Sequence, residues 1–291
     1  LINTEIASKN KQFKALRSEA SASRSALGAL LMRDLIVLKK NLSEFIPRTI
    51  IQPFLMVFVF LYVFPQIGES IGGSGGAAGQ SKFAAVLIAG VVGLSMMFQG
   101  IQAVALPLST EFGYTKEIGD RVLAPLPVSF VAIEKILLGS IQGFIAALLV
   151  FPIAYLIHAK NIQIQLSVNW PVLITLIPIT GIMTSSLGLV LGTRIAPRNI
   201  GAMFGFIVLP ITFLGGTYYP WASLSALKIF GFPWLQALVC LNPLIYVTEG
   251  FRAALTIGPH MNLFIIYPVL AIFSIIFLWI GIKGFKKRVL S

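Results

Sequence analysis

Apolar residues fill most of this chain in long blocks, and polar residues gather in short clusters between them. Blocks at about 46–64, 83–106, 130–157, 170–192, 200–216 and 262–282 approach or exceed the ~18 apolar residues of a helix able to cross a bilayer. Ahead of the first block the pattern changes. Leu27, Leu31, Leu35, Leu38, Leu42 and Phe45 recur every three or four positions, with Arg33, Lys40 and Glu44 on the other side. That spacing predicts an amphipathic helix over 25–45, with Ser23 or Ser25 as its cap. A basic amphipathic helix beside a span lies along the membrane surface, although a packed surface helix or short coiled-coil seam has the same pattern. Pro47 suits the first turn of the first span, and Pro65 its end.

One apolar stretch is interrupted. Residues 229–247 are long enough to cross, yet they hold Gly231, Pro233, Gln236, Asn242 and Pro243, followed by Glu249 and Arg252. Broken helix and ionisable groups at membrane depth are costly unless buried in protein or facing a watery cavity. Such a segment belongs to a transport pathway or its gate. Tyr246 has an apolar ring and a polar tip, which also suits an interfacial anchor. Glu249 and Arg252, three residues apart, either pair on one helix face or hold a gate in register.

Composition agrees with an all-α integral membrane protein. Of 291 residues, 11% are charged, against roughly a quarter in soluble domains, and the mean hydropathy is +0.89. The net charge of +12 does not point to nucleic acid, because the basic residues cluster beside apolar blocks as inner-leaflet anchors do. Residues 1–24 form a basic, Ser-rich stretch with Lys9, Lys11, Lys14, Arg17 and Arg24, expected to be a partly disordered cytoplasmic tail. The first long apolar run starts near Ile46, so no cleavable signal peptide is expected. Cys240 is the one cysteine and excludes an internal disulfide. His158 and His260 stand apart from each other and from other ligating side chains, so no metal site is expected.

Two loops carry information. Residues 68–82 are Gly-rich but lack the Gly-Lys-Ser/Thr of a phosphate-binding loop, and are expected to be a flexible external loop. Residues 107–129 hold Glu111, Lys116, Glu117, Asp120 and Arg121, the densest mixed charge between spans. Within them 110–117 has the length of a short helix, and Leu123-Ala124-Pro125-Leu126-Pro127 redirects the chain. If 229–247 does not cross, six spans put both ends on one side. With both ends cytoplasmic, all of the 22 Lys and Arg lie inside except Lys82, Lys160, Lys228 and Arg252. The positive-inside rule favours that arrangement, and 229–256 then enters and leaves from outside as re-entrant helices. In the second span Ser95, Gln99 and Gln102 either line a pathway or hydrogen-bond between helices. GxxxG spacings at Gly139/Gly143, Gly188/Gly192 and Gly201/Gly205 allow close helix approach.

Three segments carry a family resemblance: Glu111-Phe112-Gly113-Tyr114-Thr115-Lys116-Glu117 with the Pro-rich stop after it, Phe213-Leu214-Gly215-Gly216-Thr217-Tyr218-Tyr219-Pro220, and Leu241-Asn242-Pro243-Leu244-Ile245-Tyr246 with Gly250-Phe251-Arg252. In order and spacing, from about residue 25 on, the chain resembles the permease of ABC-2-type exporters. That group includes daunorubicin-resistance permeases, nodulation-factor export permeases and YadH-like proteins. The resemblance implies the type V ABC exporter fold: six membrane helices, an N-terminal interfacial helix at 25–45 and a permease domain over 46–291. It implies a dimer of permeases, two cytoplasmic ABC ATPase subunits that hold ATP and Mg, and a bacterial plasma (inner) membrane. It makes Glu111, Phe112, Tyr114, Lys116, Glu117 and Arg121 the ATPase-coupling residues, and 193–199 a second contact. Asn242, Pro243, Tyr246, Glu249 and Arg252 become the re-entrant signature.

The chain has no catalytic residues of its own and no P-loop. Its spans lack the row of ionisable groups that a proton- or sodium-coupled carrier needs. Energy therefore comes from a partner, and an exporter of an amphipathic drug, lipid or lipid-linked glycan is the expectation. Met97, Phe98, Gln99 and Phe213 are its expected pathway lining. A secondary carrier or channel not coupled to ATP is the alternative.

Overall fold

A computed structural model describes residues 23–67, 76–115, 127–157, 164–229 and 231–290. Among these residues the regular structure is helical, with one antiparallel bridge between Ile229 and Phe232. The amphipathic segment forms α1 at 23–40. After Asn41 come α2 (Leu42–Gln66), α3 (Gly76–Thr110), α4 (Val128–Leu156) and α5 (Trp170–Arg194). Then follow α6 (Pro197–Phe213), α7 (Trp234–Val239), α8 (Pro243–Leu255) and α9 (Leu263–Leu290). Among the described residues five helices (α2, α3, α4, α5 and α9) are long and apolar enough to cross a membrane.

α3 is the axis of the bundle. In its most apolar stretch 89% of residues are buried, against 22% in α2 and 17% in α9. A helix apolar all round belongs in the centre. Small residues let its neighbours close in. A Cβ on Gly143 of α4 would lie 2.9 Å from the Met96 carbonyl oxygen, and one on Gly188 of α5 would lie 2.7 Å from that of Ile101. Two of the three GxxxG pairs thus sit at tight contacts. Gly201 and Gly205 of α6 have open space instead.

Several boundaries differ from the sequence expectation. Asn41 breaks the helix, so the first span starts at Leu42. Leu38 and Leu42 keep the apolar phase across that break, so periodicity runs through it. Pro47 and Pro53 lie inside α2. The helix takes a π segment at Phe58–Val63, one of the local adjustments that accommodate irregular backbone in a helix, and ends just after Pro65. α3 begins at Gly76, within the stretch expected as loop, and continues through Pro107. Its 35 residues rise about 52 Å, well beyond the ~30 Å hydrocarbon core. A 3-10 helix at Trp221–Ala226 has no counterpart in the apolar pattern. α6 mixes 3-10, α and π turns and falls short of the five long helices. The tail 1–22, the Gly-rich residues 68–75, and Lys116, Glu117 and Arg121 lie outside the described residues.

Candidate functional site

The interrupted segment folds into α8, and every residue of α8 is buried. Thirteen residues rise only about 20 Å, too short to cross. Its start is fixed locally. Asn242 Oδ1 accepts from the Leu244 amide at 2.9 Å, while Asn242 Nδ2 donates to the Ile211 carbonyl of α6 at 2.6 Å. Pro243 occupies the first turn, where no amide is needed. The Tyr246 hydroxyl donates to the Cys240 carbonyl at 2.9 Å. At the far end the amides of Ser167 and Asn169 donate to the carbonyls of Leu255 and Ala254 at 3.0 and 2.7 Å, so the helix end is not left unsatisfied.

Glu249 and Arg252 pair within α8, Arg252 Nη1 donating to Glu249 Oε1 at 2.7 Å. Their side chains are 1% and 0% exposed. Glu249 also accepts from the Trp221 amide on Oε1 and from the Met261 amide on Oε2, each at 2.8 Å. Arg252 Nη2 donates to the carbonyls of Gly216 and Thr217. One ion pair therefore ties together the turn after α6, the 3-10 helix, α8 and the approach to α9. A buried pair is tolerable when most of its remaining donors and acceptors are met in this way; among the described residues Arg252 Nε alone of the pair's polar atoms is left without a partner. Gly216 has φ +67, a left-handed turn natural to glycine, and this turn aims two carbonyls at the guanidinium. A Cβ on Gly90 of α3 would strike the Thr217 carbonyl, so helix and turn meet backbone to backbone. Burial pushes the phenols of Tyr218 and Tyr219 above their ordinary pKa, which keeps both neutral.

The opposite end of the bundle holds the start of the mixed-charge segment expected to couple to an ATPase. Residues Glu111–Thr115 form a π turn continuing α3. Glu111 is buried and accepts from Lys135 Nζ of α4 at 2.6 Å. Phe112 packs on Phe285 with centroids 5.9 Å apart. It also lies 4.7 Å beneath the Arg288 guanidinium. Arg288 Nη1 in turn donates to the carbonyls of Gly192, Thr193 and Ile195 at 3.0–3.1 Å, closing the end of α5. Glu111 and Phe112 thus face the bundle. The side chain of Tyr114 lies outside the described residues.

Between these two levels is a cavity of about 300 Å³ lined by Thr49, Gln52, Ser95, Phe98, Gln99 and Gln102, among others. Gln99 Nε2 donates to Gln142 of α4 at 3.3 Å, and Thr49 of α2 reaches Gln99 at 3.5 Å. Of the four expected lining residues, Phe98 and Gln99 share this cavity. Met97 is buried in the core. Phe213 is 56% exposed and stands against Tyr218 at 6.3 Å. Gln52 and Gln142 were missed, although an amide in an apolar span is the signal that found Gln99. Trp221 and Met261 act through backbone amides, which carry no residue-type signal.

A helical bundle with five long apolar helices, a sealed polar node at one end and a polar cavity below it is a multi-pass membrane protein with the features of a transporter. The chain belongs to the ABC-2 type transporter family, matching it over residues 25–256, and is therefore a membrane component of an ABC transporter. It is similar to the inner membrane transport permease YadH of Escherichia coli strain K12, 27% identical over 190 residues, which covers 64% of this chain and 70% of that protein. The YadH permease of Shigella flexneri matches to the same extent.

Proposed function

We propose that the chain is the permease subunit of an ATP-driven exporter that moves an amphipathic drug, lipid or lipid-linked glycan outward. The observation that carries this reading is the separation of polar groups by level. One end of the bundle is closed by α8 and its buried, multiply bonded ion pair, while a glutamine-lined cavity lies toward the other. With the basic ends cytoplasmic, that is a pathway open inward and sealed outward.

In this reading α6 is the sixth crossing. Its 17 residues rise about 25 Å, at the lower limit of a span. α7 and α8 are re-entrant from outside and form the outer gate. The chain pairs with a second copy and with two ATPase subunits that supply ATP and Mg, in a bacterial inner membrane as the similar permeases are named. The turn at Glu111–Thr115 leads into the coupling contact, with Tyr114, Lys116, Glu117 and Arg121 toward the ATPase. An ion-driven carrier needs a carboxylate that loads and releases its ion, and Glu249 is already occupied by three donors.

Reconstitution tests this directly. The chain and its cognate ABC ATPase subunit are placed together in vesicles with a fluorescent phospholipid or drug. ATP-dependent movement that disappears when the ATPase is omitted is expected. Movement driven by a proton or sodium gradient without the ATPase would establish the carrier instead.

A further inference from the structure

A second and larger cavity, of about 660 Å³, lies in the elbow between α1 and α2 and is backed by α3 and α4. It adjoins the glutamine-lined cavity: Arg48 lines both, and Gln142 of this lining bonds Gln99 of the other. Its lining mixes apolar Val37, Leu38, Phe45 and Leu138 with charged Arg33, Arg48, Lys135, Asp34 and Glu44.

The three cations differ in what they face. Lys135 is paired with Glu111 at 2.6 Å, and Arg33 with Asp34 at 2.9 Å. Arg48 has no hydrogen bond or ion pair among the described residues, and none joins it to Glu44 one turn earlier. Yet it sits on a spanning helix, within two turns of its start. An arginine there is stabilised by reaching an anion at the leaflet surface, and its planar fork matches phosphate oxygens. The cavity falls within the ~300–1,000 Å³ of small-molecule sites. A lining that holds both cations and apolar side chains suits an amphiphile.

We infer that this cavity binds the phosphate headgroup of an anionic phospholipid of the inner leaflet. Arg48 holds the phosphate, Arg33 and Asn41 border it, and the apolar side chains of the lining meet the start of the acyl chains. The cavity adjoins the one proposed for cargo at Arg48, and the lipid is placed on its elbow side, against Arg33 and Asn41. The assignment of leaflet rests on the orientation proposed above. The binding itself does not, so a failure to bind lipid and a failure of the transport reading are separately visible.

The test is native mass spectrometry of the purified full chain in detergent, titrated with dioleoyl phosphatidylglycerol, with dioleoyl phosphatidylcholine and inorganic phosphate as comparison probes. Phosphatidylglycerol is expected to bind more tightly than phosphatidylcholine. Arg48→Gln is expected to weaken it about five-fold, the effect of one cation near an anionic leaflet. Arg48→Lys keeps the charge but not the planar fork and should retain only part of the binding, and Lys283→Gln on α9 should leave it unchanged. Val37→Trp, at the exposed rim, keeps the charge and fills the space. It should weaken binding too, and provides the readout if Arg48→Gln does not fold. Wild-type binding by both variants, or equal affinity for the two lipids, would overturn the site. Displacement of the lipid by inorganic phosphate at comparable concentration would reassign it to a free anion and overturn the lipid assignment.

Discussion

Arg252 carries a charge into a position with no exposure at all, and its bonds reach two carbonyls and one carboxylate. Removing one partner of such a pair leaves the other buried and unpaired, at a cost of about 3–5 kcal/mol. Arg252→Ala is therefore expected to lower the melting temperature sharply and to abolish export. Capture of the ATPase, whose proposed contact lies at the other end of the bundle, is expected to survive. Equal loss of export and ATPase capture would remove the gate from this account. Arg252→Lys keeps the charge but not the planar fork, so rescue by lysine should be partial. Gly216→Ala adds a methyl group in a left-handed turn that already touches Ile245. It should cost about 1–3 kcal/mol in denaturant unfolding of the purified chain.

At the scale of elements, α8 is held at its N-terminus by one side chain. Asn242→Ala removes a cap worth about 1 kcal/mol and the tie to α6. Hydrogen exchange is expected to quicken at the start of α8 and in the turn after α6, and not in α5. At the opposite end of the bundle, Phe112→Ala should loosen the Arg288 cap on α5. ATP hydrolysis by the partner is then expected to continue while transport falls, and both are measurable in the same vesicles.

These elements also show what the sequence could reveal. The long apolar blocks were legible because crossing a bilayer needs length and apolarity, both of which are local. The break at Asn242-Pro243 was legible because proline and a capping residue act on their own backbone. The hinge at Asn41 was not, because the leucine phase continues across it. Nor was the early start of α3, because the Gly-rich residues before Lys82 carry no apolar period and are helical by continuation. The pairing of Glu249 with Arg252 was visible in their spacing. The anchors at Trp221, Met261 and Gly216 are backbone groups that only the tertiary fold brings together.

At the scale of the whole molecule, the proposed cycle starts from a bundle closed by α8 at one level with a polar cavity at the other, and ATP on a partner would reverse that state. The most direct test is site-specific labelling in a Cys240→Ser background. Gln102→Cys places a thiol in the glutamine-lined cavity. In vesicles holding the chain and its ATPase, a membrane-impermeant thiol reagent is applied from each side, with and without nucleotide trapping. Labelling from the cytoplasmic side that is lost on trapping with ATP and vanadate is the predicted result. Labelling from the outside alone, or labelling indifferent to the nucleotide, would contradict it.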